Sequence, residues 1–187
     1  MNYGPLALIK KRGGVRMKRL TIIAVGLLML TTAVAYGLHK EIPSETQVTL
    51  PGADAEGVYN YITMEPGYKN WSVWPGTEKR HRAEKPLNIV TTYLNDNAMY
   101  SVKKGIKMVD GSIVVTENYD DKGELGAIFV MYKIKGYNPS AGDWFWAQYD
   151  PQGKPVVAGR VKACIKCHSS KSSNDYIFTR EYIRKNK

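Results

Sequence analysis

Gly142-Asp-Trp-Phe-Trp-Ala-Gln-Tyr149, then Asp150-Pro-Gln-Gly153, then Val156-Val-Ala-Gly-Arg-Val161, decides the fold class. The aromatic run has the residue types that favour a pleated, half-buried surface. The Asp-Pro-Gln-Gly step is a turn signal, and the apolar run beyond it reads as the returning strand of a hairpin. Working upstream, Gly126–Ile134 and Ser112–Asn118 are Val/Ile-rich strands bounded by Asp120-Asp-Lys-Gly123 and Asp110-Gly111. Leu87–Leu94 is another β-rich segment, and Asn95-Asp96 starts a helical turn over Asn97–Lys104. Nearer the N-terminus, Ala55, Val58, Tyr59 and Ile62 recur at helical spacing behind Asp54, a capping residue, until Glu65-Pro66-Gly67 stops the helix. Tyr68–Gly76 reads as a short helix with inward aromatics, and the charged stretch Glu78–Lys85 as a loop. The expected class is α+β: a small antiparallel sheet of four to five strands with flanking short helices.

Charge and export signals bound the rest. The chain has 187 residues and a formal charge of +10. Six of those charges fall in residues 1–35, as Lys10, Lys11, Arg12, Arg16, Lys18 and Arg19 with no acid, which leaves +4 for the remainder. That excess is too weak to point to nucleic acid. The basic stretch leads into an uncharged run over residues 20–38, and Ala33-Val34-Ala35 fits a cleavage site. This order is that of a secretory signal over residues 1–35, with an uncleaved membrane anchor as the alternative. Residues 36–52 read as a linker and 53–187 as the functional domain. Either reading places that domain in the periplasm.

Near the C-terminus stands Cys164-Ile165-Lys166-Cys167-His168, the C-x-x-C-H pattern of c-type haem attachment. Two thiols at this spacing add to the two haem vinyl groups, and the adjacent imidazole offers a nitrogen to the iron. A thioredoxin-type motif does not call for the histidine, and a zinc site would need further ligands. A disulfide across two residues would be strained. The reading is therefore one covalently attached haem c held by Cys164 and Cys167, with His168 as the metal ligand. Only 19 residues follow His168, none of them Met or His, so a sixth ligand has to come from His39, His81, Met64, Met99, Met108 or Met131. Each Met also suits a core and His81 sits in a charge run, so an open distal side is expected.

These residues resemble the cytochrome P-460 family. The resemblance rests on Gly142–Pro155, Ala158-Gly-Arg160-Val, the haem motif and Asn174-Asp-Tyr-Ile-Phe-Thr179. Tyr68-Lys-Asn-Trp71, Trp74-Pro-Gly, Thr92-Tyr-Leu-Asn95 and Asp110-Gly-Ser-Ile-Val-Val115 add to it. It implies a small antiparallel sheet, one covalent haem, often a homodimer, and a possible redox partner cytochrome. Members that oxidise hydroxylamine carry a haem-crosslinking lysine, and a second branch binds small gases in an apolar pocket. Here the crosslinking position falls at Thr116, and the proton-relaying carboxylate of the crosslinked members at about Phe129.

The resemblance thus implies cofactor-lining roles for Thr116 and Phe129, and binding of a small diatomic or nitrogen-oxide ligand such as nitric oxide. Hydroxylamine oxidation and low-spin electron transfer are the alternatives, and Thr116 and Phe129 also read as ordinary strand residues. Arg160 suits either a haem propionate or an exposed strand position. Trp144 and Trp146, two apart on one strand, share a face and suit the haem, a dimer core or the domain core.

Overall fold

A computed structural model describes residues 49–183. The basic segment, the uncharged run and most of the linker expectation lie outside these residues. Among the described residues no helix is long and apolar enough to cross a membrane.

The domain opens with helix α1 (Ala55–Thr63), whose Asp54 side chain accepts a hydrogen bond from the Gly57 amide at 2.6 Å. Two short strands follow, β1 (Ser72–Val73) and β2 (His81–Arg82), then β3 (Ile89–Leu94). Helix α2 (Asp96–Lys104) leads into β4 (Ile113–Tyr119), β5 (Leu125–Lys133), β6 (Trp144–Tyr149) and β7 (Pro155–Gly159). Helix α3 (Lys162–His168) carries the Cys-x-x-Cys-His run. From β3 to β7 the sheet is an antiparallel meander, and β1 and β2 both pair with the outer edge of β3.

The class is α+β as expected, but the sheet has seven strands instead of four or five. The two additions correct the readings of Tyr68–Gly76 and Glu78–Lys85. Only Tyr68–Asn70 is helical, as one 3₁₀ turn, and the charged stretch contributes His81–Arg82 to the sheet. Two-residue strands carry no periodicity, so only their register against β3 (Ser72 opposite Leu94, His81 opposite Val90) defines them. The segment also passes around the sheet edge: Tyr68 packs on one face and Trp74 on the other.

Both faces of the sheet are covered, which explains why Ile113–Val115 and Trp144–Ala147 are unbroken apolar runs instead of alternating ones. On the α1 face, Val58 and Ile62 pack against Tyr93, Ile113, Val115, Val130 and Phe145. On the α3 face, Ala98 and Met99 of α2 join Leu94, Val114, Met131, Trp144 and Trp146, with Cys164 and Ile165 of α3 against them.

The turns repeat one chemistry. Asp120 accepts from the amides of Lys122 and Glu124, and Asp150 from those of Gln152 and Lys154. Asn95 ties α2 to the sheet: its Oδ1 accepts from Ala98 and Ile113 amides at 3.0 and 2.9 Å, and its Nδ2 donates to the Gly111 carbonyl at 2.8 Å. Asn95→Ala is expected to destabilise the domain by about 2–3 kcal/mol, since a cap and two buried backbone partners are lost together. Urea denaturation of the two proteins measures the difference.

Candidate haem site

Helix α3 converts the motif's spacing into geometry. Residues three and four apart share a helix face, so Cys164, Cys167 and His168 lie on one side of α3. No side chain of α3 is fully buried. Cys164 is half-buried and Cys167 exposed, and both are free thiols. Burial, the largest influence, pushes the Cys164 thiol up from its usual range.

His168 is held on three sides. Its ring lies 4.6 Å from the Trp146 ring and 4.9 Å from the Phe178 ring, centroid to centroid. Nδ1 lies 2.6 Å from the carbonyl oxygen of Tyr176. A carbonyl only accepts, so Nδ1 carries the proton, and Nε2 keeps its lone pair for a metal. Burial, the larger influence, lowers the imidazole pKa, and the Tyr176 carbonyl opposes it. The neutral, ligating form is thereby favoured at neutral pH.

Thr116 and Phe129 lie directly opposite each other on β4 and β5, half-buried on the α3 face. The row continues across the sheet as Thr92, Thr116, Phe129, Gln148 and Val157. It is adjacent to the row holding Val114, Met131 and Trp146. Thr92 and Thr116 hydroxyls are 3.3 Å apart. The structure thus brings Thr116 and Phe129 onto the same sheet face as the ring that packs on His168.

Arg160 is exposed and lies over Tyr137. Its guanidinium lies 4.9 Å from the Tyr137 ring centroid and donates to the Tyr137 carbonyl, and Tyr137 packs on the α1-face cluster. Trp144 and Trp146 share the α3 face as expected, with ring centroids 6.4 Å apart. Of the sixth-ligand candidates, Met99, Met108 and Met131 sit in the cluster that also receives Cys164, while Met64 is exposed at the end of α1. His81 places Nδ1 2.7 Å from the Glu78 carbonyl. His39 lies outside the described residues.

The residues fit a haem. Two thiols and a free Nε2 share one face, and the buried indole N–H of Trp146 beside His168 has no acceptor among the described residues. An N–H in that position suits a carboxylate such as a haem propionate. Among the described residues no three His, Cys, Asp or Glu side chains converge on a metal-sized point.

An antiparallel sheet with a C-terminal Cys-x-x-Cys-His helix packed on one face defines a small haem-binding domain. The family model of cytochrome P460 matches residues 65–179, from the end of α1 to the segment beyond His168. The chain belongs to that family and is a haem cytochrome of it. No curated protein matches it.

Sequence reasoning missed two arrangements. Glu117, beside Thr116 but pointing to the α1 face, is 1% exposed and accepts hydrogen bonds from Tyr68, Tyr93 and Tyr119 at 2.8, 3.2 and 2.5 Å. The alternation Ile113, Val115, Glu117, Tyr119 held the signal, a carboxylate in register with inward residues. The second is Asp175, whose ion pair with Lys133 has no sequence signal, because 42 residues separate the partners.

Proposed function

We propose that the domain is an exported, periplasmic mono-haem c-type cytochrome whose distal face takes small neutral nitrogen ligands such as nitric oxide. Cys164 and Cys167 form the thioether links, and His168 Nε2 is the proximal ligand. The observation that carries the reading is the 2.6 Å contact between His168 Nδ1 and the Tyr176 carbonyl, which sets the tautomer with Nε2 free.

When bound, the haem supplies an iron able to coordinate a diatomic. The chain's own residues orient the imidazole, shield its proximal side with Trp146, and present Thr116 and Phe129 on the sheet face. Thr116 has no amine to crosslink the ring, and its hydroxyl is within hydrogen-bonding distance of Thr92. Phe129 has no carboxylate to accept protons where N–H bonds break. Both features favour ligand binding over hydroxylamine oxidation, because a neutral diatomic needs no charge stabilisation while an unpaired polar ligand is penalised by about 1–3 kcal/mol.

The absorption spectrum of the reduced protein, before and after nitric oxide or carbon monoxide, tests this. A high-spin ferrous form that takes up either gas is expected. A low-spin spectrum unchanged by both gases overturns the reading in favour of an electron carrier. A strongly red-shifted Soret band, with mass on the haem peptide beyond two thioethers, overturns it in favour of the crosslinked enzyme.

A further inference from the structure

The carbonyl that faces His168 belongs to an unusual stretch of backbone. Asp175 and Tyr176 are consecutive non-glycine residues in the left-handed region, with φ of 51° and 69°. Such a pair persists only where its surroundings over-determine it. The Asp175 carboxylate accepts two hydrogen bonds from Lys133 Nζ, at 2.7 and 2.9 Å, and one from the Met108 amide at 2.8 Å. Its own carbonyl accepts from the Trp144 indole N–H at 3.0 Å, and the Tyr176 amide donates to Lys171 at 2.8 Å. The Lys133 ammonium also lies 4.6 Å from the centroid of the Trp144 ring. The pair is secluded, with side-chain exposures of 12% and 3% for Lys133 and Asp175.

We infer that the Lys133–Asp175 ion pair is a positioning device for the axial imidazole: it fixes the Tyr176 carbonyl against His168 Nδ1 and so sets how strongly Nε2 donates to the iron. The inference rests on the proposed proximal role of His168. An outer partner that accepts the Nδ1 proton firmly makes the imidazole a better donor, which favours the ferric state and resists loss of the ligand. A looser carbonyl does the reverse. Lys133 ends β5 opposite Trp144, so the sheet that carries Phe129 also anchors the carbonyl behind the histidine.

The test uses haem-loaded protein with Asp175→Asn, Lys133→Met and the double substitution. Asparagine tolerates the left-handed conformation and keeps an acceptor for Met108, so it removes charge with little backbone penalty. In each variant the iron–histidine Raman band of the ferrous protein is expected at lower frequency and the reduction potential higher. Nitric oxide should expel the proximal imidazole on the order of tenfold faster. The double variant should match either single one, since each breaks the same pair.

Folded variants that retain haem but leave band, potential and expulsion rate unchanged overturn the inference. If Asp175→Asn does not fold, Lys133→Met carries the same readouts. A wild-type iron–histidine band that survives His168→Gly overturns the proximal assignment itself, and a low-spin ferrous wild type without the band overturns the open distal site, so the failures are distinguishable.

Discussion

Serine at both Cys164 and Cys167 is expected to abolish haem that stays with the polypeptide through acid–acetone extraction. Wild-type protein matured in a host competent for c-type attachment should keep all of it. The expectation follows from α3, where the two thiols share one face with His168. Each single serine variant should retain one thioether, and its reduced α-band should shift toward that of a haem with one intact vinyl group. His168→Gly should leave the pigment attached but lose the proximal ligand, and added imidazole should restore the spectrum. Pigment that resists extraction in the double variant would refute covalent attachment through this motif. Haemochrome spectra and intact mass together read every outcome.

Glu117→Ala is expected to cost about 3–5 kcal/mol. The side chain is buried, and three tyrosine hydroxyls donate to it. Its removal leaves those donors without their acceptor and opens a cavity. Glutamine keeps one acceptor oxygen but turns donors toward donors, so Glu117→Gln should cost about 1–2 kcal/mol. The Lys69 ammonium 3.6 Å away is 66% exposed and contributes little, so Lys69→Ala should stay within about 1 kcal/mol. Denaturant unfolding of the three variants orders them, and equal losses for Lys69→Ala and Glu117→Ala would contradict the assignment.

The same cluster predicts behaviour at high pH. Tyr93 is pushed up to about 12, first by burial and then by the Glu117 charge. Its folded value lies above the unfolded one near 10, so the folded state holds the proton more tightly. The stabilisation is complete below about pH 10 and is lost as pH rises through about 12. Phenolate absorbance should show a delayed class of tyrosines that ionises together with unfolding.

Residue types and turn signals marked the long strands, helical spacing marked α1 and a capping residue marked α2, because each element is long enough to carry such a signal. Ser72–Val73 and His81–Arg82 had no repeat to show and are strands only through pairing with β3. At the site, the haem motif was legible because its chemistry requires adjacent residues. That Phe129 lies opposite Thr116 comes from the β4–β5 register, which neither strand contains by itself.

By itself, the order of residues determined an α+β domain, a Cys-x-x-Cys-His motif and membership of a haem family, since residue-type, turn and capping signals and ligand spacing are local properties. Folding alone decided which carbonyl meets His168, that Arg160 stacks on Tyr137, and that Glu117 turns away from Thr116 to three tyrosines. Those outcomes depend on tertiary packing, and Glu117 reaches Tyr68 and Tyr93 across 49 and 24 residues. Their geometry is set by how two faces of one sheet are packed, and no stretch of sequence contains it.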